Sequence, residues 1–329
     1  MTSSITFGDD PDQAVRRRRI RQRFASAGTC RQVSRAMKPT ASPTFDELPV
    51  PLPLGSTFFS PAIEQVRKFA YAVEDESGWL VGNPADALVH PVFLSTYMWF
   101  PSGFYLRAPG EIGHFELFRQ NHGHLVGTPF LHGKSSARFL RPFRLGRPIR
   151  ADVAVIEKYR RRGRDFIVMR ASFFDADGEA LAVYDHGCAI RSDEVRPAGA
   201  PSAPPTATSP NTFPPRRIAM SLEKSRLFSL PAENYHTHDR LAQAIGARVA
   251  IPAAMMSFAY LSRFAQDILG DDAWIARGRL DATFPRMLQR DDVLSVEGNR
   301  MEDGALALGI YNARREPVAV ATARLLDRP

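Results

Sequence analysis

Apolar residues recur at Ile251, Met255, Phe258, Leu261, Ala265, Ile268 and Leu269. That spacing predicts a helix over 252–269, and Met256, Ala259 and Phe264 carry its apolar surface well round the cylinder. A helix apolar on most sides must be enclosed. Four segments that alternate or run apolar follow it, at 274–285, 292–301, 304–313 and 316–326. Asp303-Gly304 and Arg314-Arg315-Glu316 punctuate them as turns, so the pattern predicts an antiparallel meander.

The same plan precedes it. Pro61 opens an amphipathic segment whose inward stripe is Ile63, Val66, Phe69 or Ala70, and Val73. A second helix, unusually aromatic, is expected from His90 to Phe100, and the aromatic run from Tyr97 to Tyr105 suits a core or an acyl-tunnel wall. Residues 46–60 read as Pro-rich and extended, and 107–130 show no period. Strands are expected at 134–140, 149–159, 165–174 and 180–191. Residues 192–217, rich in Pro, Ala, Ser and Thr, read as a linker, and a short helix is expected at 239–246. Phe139 with Arg141 matches Phe284 with Arg286, and 148–153 matches 293–296, as in an internal duplication. The expected fold is therefore α+β, with two antiparallel sheets each wrapped around a central helix and joined edge to edge if the halves pair. The expected division is a tail at 1–45, a module at 46–191, the linker, and a module at 218–329.

Charge changes this picture little. Of the formal net charge of +8, the first 45 residues carry +6 through eight Arg and one Lys against three Asp. This basic tail lacks apolar periodicity and is expected to be disordered, and the nearly neutral body gives no reason to expect a nucleic-acid partner. No apolar stretch follows the arginines as in a secretory signal, and Asp9, Asp10 and Asp12 argue against a mitochondrial one; translation from Met37 would remove the tail altogether. Cys30 and Cys188 have no metal or redox spacing and fit a reducing, cytoplasmic setting. No apolar run approaches a membrane span, so no membrane association is expected.

Candidate chemistry centres on Asn234-Tyr-His-Thr-His, just ahead of the enclosed helix. A histidine of near-neutral pKa can move protons, and the first free amide of a helix can hold an oxyanion. His238 is expected to face solvent. His132 reads as a strand-end hydrogen-bonder or as pocket lining. His122 and His124 lack accompanying Cys or carboxylates, so no metal site is expected. The sequence has neither a Gly-x-Ser-x-Gly elbow nor a Gly-rich phosphate loop.

These residues resemble a known family. The run from Ile251 to Arg263 resembles the P-I-A-(H/Q)-G-M helix start of MaoC-like dehydratases, the (R)-specific enoyl-CoA hydratase group. Asn234 to Thr237 resembles that family's N-P-I-H or N-I-H-T loop. The stretches 277–284 and 290–296 resemble its R-F-x-x-P-V-x-P-G-D-x-L-x-V strand pair, while 131–134 and 139–146 resemble the N-terminal module of two-module members. The resemblance covers about 60–191 and 220–326. It implies a double hot-dog fold and a hydro-lyase that interconverts 3-hydroxyacyl and 2-enoyl thioesters. The implied acid/base is His236, with Asn234 and Glu233 as its catalytic companions and Ala253, Ala254, Met255 and Tyr235 as substrate-binding residues. The implied partner is acyl-CoA or an acyl-carrier protein, no further cofactor is called for, and a homodimer is left open. Several family positions differ: Pro231 stands for the Asp before the loop, Ala254 for the helix-start Gly, Ala253 for His or Gln, and Asp291 for the Gly of P-G-D. Those differences keep open a thioesterase, a polyketide-pathway dehydratase or cyclase, and a non-catalytic acyl-binding subunit. The first half lacks an Asn-x-His motif and is the half expected to accommodate the acyl chain.

Overall fold

The strands β1 (Leu52–Phe59), β2 (Leu131–Phe139), β3 (Ile149–Arg161), β4 (Arg164–Phe174) and β5 (Ala180–Ser192) come from the first half of the chain, and β6 (Arg216–Ala219), β7 (Gly278–Thr283), β8 (Val293–Arg300), β9 (Leu306–Tyr311) and β10 (Pro317–Leu325) from the second. In this computed structural model they form one ten-stranded sheet in the order β1-β3-β4-β5-β2-β7-β10-β9-β8-β6. The structure describes residues 43–75, 89–98, 113–127, 130–192, 213–229 and 233–327. The basic tail to residue 42 and most of the expected linker lie outside them. Phe45 and Leu48 are buried and join the core directly before β1.

Both halves repeat one five-strand order, the second reversed in space. The two expected sheets are one: β2 and β7 pair antiparallel, the edge-to-edge join expected if the halves pair, with Lys134 opposite Thr283 and Arg138 opposite Arg279. Each would otherwise be an edge with unpaired backbone groups, and pairing satisfies both at once.

The helices are α1 (Ile63–Ala72), α2 (His114–His122), α3 (Leu222–Leu227), α4 (Asp239–Gln243), α5 (Ala254–Leu269) and α6 (Asp271–Arg277). The helix α5 is the enclosed one. Every residue from Met255 to Ser262 is buried, and α5 packs on β8, β9 and β10. Gly298 permits the close approach of β8, because a Cβ there would meet Phe264 at 2.8 Å and Leu308 at 2.7 Å. Burying side chains such as Phe258 and Leu261 contributes about 1.5–3 kcal/mol each.

The corresponding place in the first half holds the expected second helix, which over Pro91–Met98 is a buried 3-10 helix. Ser95 and Thr96 donate their hydroxyls to the Val92 and Phe93 carbonyls, at 2.6 and 2.8 Å, which competes with the α-helical ladder. The remainder of the expected segment lies outside the described residues.

The expected strand at 274–285 divides in two. After Gly270, at φ +91°, the chain turns into α6, which buries Trp274 and Ile275, and only then enters β7. A helix, α2, also forms within the stretch that showed no period. The two halves are tied behind α5 by Asp75 to Arg263 at 3.5 Å, by Lys224 to Glu74, and by the Tyr260 hydroxyl donating to the Ala72 carbonyl at 3.1 Å.

Candidate functional site

The loop before α4 is built to hold one imidazole still. The Asn234 carbonyl accepts from the backbone N–H groups of Thr237 and His238, both at 3.0 Å, which closes a tight turn. The Asn234 Oδ1 accepts the His236 N–H at 2.7 Å, while its Nδ2 donates to Ser229 Oγ at 3.1 Å. Ser225 Oγ donates to the His236 carbonyl at 2.6 Å, fastening the turn to α3. Asn234 thus shapes the loop through its amide.

Two further bonds join this loop to the segment entering α5. The Ile251 N–H donates to the Tyr235 carbonyl at 3.1 Å, and His236 Nδ1 lies 2.5 Å from the Ile251 carbonyl. A carbonyl only accepts, so Nδ1 carries the proton and Nε2 is the bare nitrogen. Among the described residues nothing else engages this ring by hydrogen bonding. Burial pushes His236 down to about 4, opposed by the Ile251 hydrogen bond, so the imidazole is neutral near pH 7. Tyr235 packs beside it, with ring centroids 4.2 Å apart.

The acceptor end of the site is the start of α5. Ala253 is its N-cap and offers no side-chain cap, and Ala254 is the first helical residue. The Ala250 carbonyl, four residues before Ala254, instead takes the Arg290 N–H at 3.2 Å. The Ala254 amide is therefore one of the helix's unsatisfied donors, at the positive end of sixteen aligned peptide units. An oxyanion is a natural partner for it. Met255, next along, is buried, with its Sδ 2.5 Å from the Tyr184 hydroxyl.

The structure thus gathers His236, Tyr235, Ala253, Ala254 and Met255 around one helix start. Glu233 is placed differently. Its exposed carboxylate lies 3.5 Å from His238 Nε2 and makes no hydrogen bond to His236. His238, at the N-cap position of α4, is the imidazole that Glu233 meets. Among the described residues no cluster of His, Cys, Asp or Glu has the arrangement of a metal site, and no helix is long and apolar enough to cross a membrane.

Residues of the first half reach the same helix start. His132 Nε2 lies 2.7 Å from Ser135 Oγ, Ser135 Oγ lies 2.7 Å from the Tyr184 hydroxyl, and that hydroxyl touches Met255 and, at 3.3 Å, His186 Nδ1. The His132 and His186 rings pack with their centroids 3.8 Å apart, tilted by 31°. This group was not anticipated as a unit. Its signal was parity: Tyr184 and His186 share the inward face of β5 with Ala182, Cys188 and Ile190, where an apolar core alone would place no imidazole.

No family model matches the sequence, and no curated protein does. Solved structures do match. A MaoC-like dehydratase from Phytophthora capsici superposes with a TM-score of 0.66 at 14% identity, over 85% of this chain and 97% of that one. A second MaoC-like dehydratase gives 0.64 at 15% identity, over 86% and 99%. A Mycobacterium tuberculosis protein described as a double hot-dog gives 0.52 at 14% identity, over 86% and 97%. At these identities the likeness establishes the double hot-dog fold.

Proposed function

We propose that this protein is a hydro-lyase that interconverts 3-hydroxyacyl and 2-enoyl thioesters, carried on CoA or an acyl-carrier protein. One observation carries this reading. The Ile251 carbonyl fixes the proton of His236 on Nδ1, which leaves a neutral, unprotonated Nε2 on a loop bonded to the segment that enters α5. The structural likeness to MaoC-like dehydratases adds support at the level of the fold.

In the hydration direction, His236 Nε2 takes a proton from water as the water oxygen bonds to Cβ. The alkene electrons move to the thioester oxygen, which the Ala254 N–H stabilises. The enolate then collapses, and the proton held on Nε2 passes to Cα. His236 returns to neutral and no cofactor is consumed. Because Glu233 faces His238, one imidazole performs both transfers. Tyr235 packs against the ring and limits its rotation.

Hydration of crotonyl-CoA, followed by loss of the enoyl absorbance, tests the proposal. Wild type is expected to turn over, and His236→Ala to lose about 10²–10⁴ in kcat, the usual worth of a positioned acid/base. Equal rates above background in the two proteins would remove His236 from the mechanism.

The missing carboxylate companion favours one rival. A lone imidazole can also activate water for attack on the thioester carbonyl, which is hydrolysis. Release of free thiol without loss of the enoyl chromophore would identify that chemistry.

A further inference from the structure

Ala250 and Ile251 lead into α5, and all four of their backbone N–H and carbonyl groups are bonded. Ile251 directs its N–H to the Tyr235 carbonyl and its carbonyl to His236 Nδ1. Ala250 directs its carbonyl to the Arg290 N–H at 3.2 Å and its N–H to Asp239 Oδ1 at 2.9 Å. The first three partners are two peptide groups and the imidazole itself. The fourth is a carboxylate, and a hydrogen bond to an ionised acceptor is roughly twice as strong as a neutral one. Asp239 is therefore the firmest hold on this pair of residues.

The carboxylate is itself aimed. Asp239 is the first residue of α4, three positions after His236, so the histidine loop and this hold are continuous in the chain. Its other oxygen, Oδ2, lies 3.0 Å from Arg290 Nη2, and Asp291 stands 3.5 Å from Arg290 Nε. The bonds close a ring: the Arg290 N–H to the Ala250 carbonyl, the Ala250 N–H to Asp239, and Asp239 back to the Arg290 guanidinium. A carboxylate in the first turn of α4 favours that helix whatever else it touches. Here one of its oxygens is instead committed to the residue beside Ile251.

We propose that Asp239 is a positioning residue of the hydration, which holds the Ile251 carbonyl against His236 Nδ1 through Ala250, with Arg290 aiming its carboxylate. This rests on the lyase reading above and deepens it. Asp239 makes no hydrogen bond to the imidazole, so its effect passes through the backbone. With the Ala250 N–H released, the Ile251 carbonyl can turn off the ring, and nothing then keeps the proton on Nδ1. A proton on Nε2 makes that nitrogen a donor and ends its action as the base that takes a proton from water. The negative charge that the ring lacks as a direct partner is thus applied one residue further out, to the peptide next to the one that fixes its tautomer.

Long-range proton–nitrogen spectra of the labelled full chain, read beside crotonyl-CoA hydration on the same variants, test this. Wild type is expected to carry hydrogen on Nδ1 of His236 alone. Asp239→Ala is expected to show both tautomers, with KM within about threefold and kcat lowered about 10–100-fold, the scale of a reacting group misplaced by about 1 Å. Asp239→Asn keeps an acceptor oxygen for Ala250 and is expected to fall between the two on both readouts; it decides the matter if the Ala variant does not fold. Arg290→Ala, which leaves the backbone N–H in place, is expected to shift the tautomer the same way by less. A wild-type nitrogen pattern in Asp239→Ala would overturn the proposal, whether activity is kept or is lost along with the unfolding midpoint, because the carboxylate would then serve stability alone. Mixed tautomers at unchanged kcat would overturn it too. If wild type hydrates no crotonyl-CoA, the lyase reading fails by itself, and the nitrogen pattern still decides whether Asp239 fixes the ring.

Discussion

The two halves share a five-strand order and differ in what lies across it. The second half lays the sixteen-residue α5 over its strands and fixes His236 on a loop at its start. The first half has the eight-residue 3-10 helix Pro91–Met98 in the equivalent place, and its imidazoles, His132 and His186, stand on strands. A long α-helix gives the second half a free amide with an aligned dipole behind it. A 3-10 helix with hydroxyls bonded back to its own carbonyls offers no such terminus. In the proposed function the second half therefore stabilises developing charge, and the first half shapes the site. The β2–β7 seam lets both act on one site, because it sets the first half's inner face beside the start of α5.

The largest expected effect falls on the second half alone. His236→Ala is expected to abolish nearly all hydration while leaving the unfolding midpoint little changed, since among the described residues the ring's one hydrogen bond is to Ile251. An unfolding midpoint that collapses together with activity would make His236 a structural residue.

A middle-sized effect draws on both halves. His90 and His236 are each held down to about 4 and His132 to about 3, all chiefly by burial. Their unfolded values lie near 6.5, so the unfolded chain binds more protons below that pH. The stability they contribute is complete above pH 6.5 and is lost progressively as pH falls toward 4. For the fully buried His90 alone the loss is about 3 kcal/mol at the acid end. Urea unfolding between pH 7 and 4.5 measures it. Stability that holds level through this window would show that the rings take up protons at the same pH folded as unfolded.

The smallest effect separates the two candidates on the loop. Glu233→Gln removes a carboxylate that is exposed and turned to His238, so kcat for hydration is expected to stay within about twofold. A loss of tenfold or more would place Glu233 in the chemistry.

How far the sequence reveals this arrangement depends on the element. The strands β3, β4 and β5 alternate over eleven to thirteen residues and α5 keeps a period for four turns, so their patterns are hard to mistake. Shorter elements carry too few repeats. The strand β6 has four residues, only Ile218 is fully buried, and it lies at the end of a stretch with linker composition. In α6 the apolar Trp274 and Ile275 run on into β7, so a helix and a strand merge into one apolar segment. The join into a single sheet could be stated only conditionally, because whether β2 and β7 pair depends on two edges far apart in the chain, which no local period encodes. The turn from Asn234 to Thr237 was legible because its motif is local. The His132 group was not, because it forms only when β2, β5 and α5 meet.

The account rests on the tautomer of His236. Two-dimensional long-range proton–nitrogen spectra of the labelled full chain, assigned with His236→Gln and recorded from pH 7.5 to 5, report which ring nitrogen carries hydrogen. The account predicts a neutral His236 ring protonated on Nδ1 throughout that range, with titration setting in only toward pH 4. A ring protonated on Nε2, or one already charged at pH 7, would contradict it.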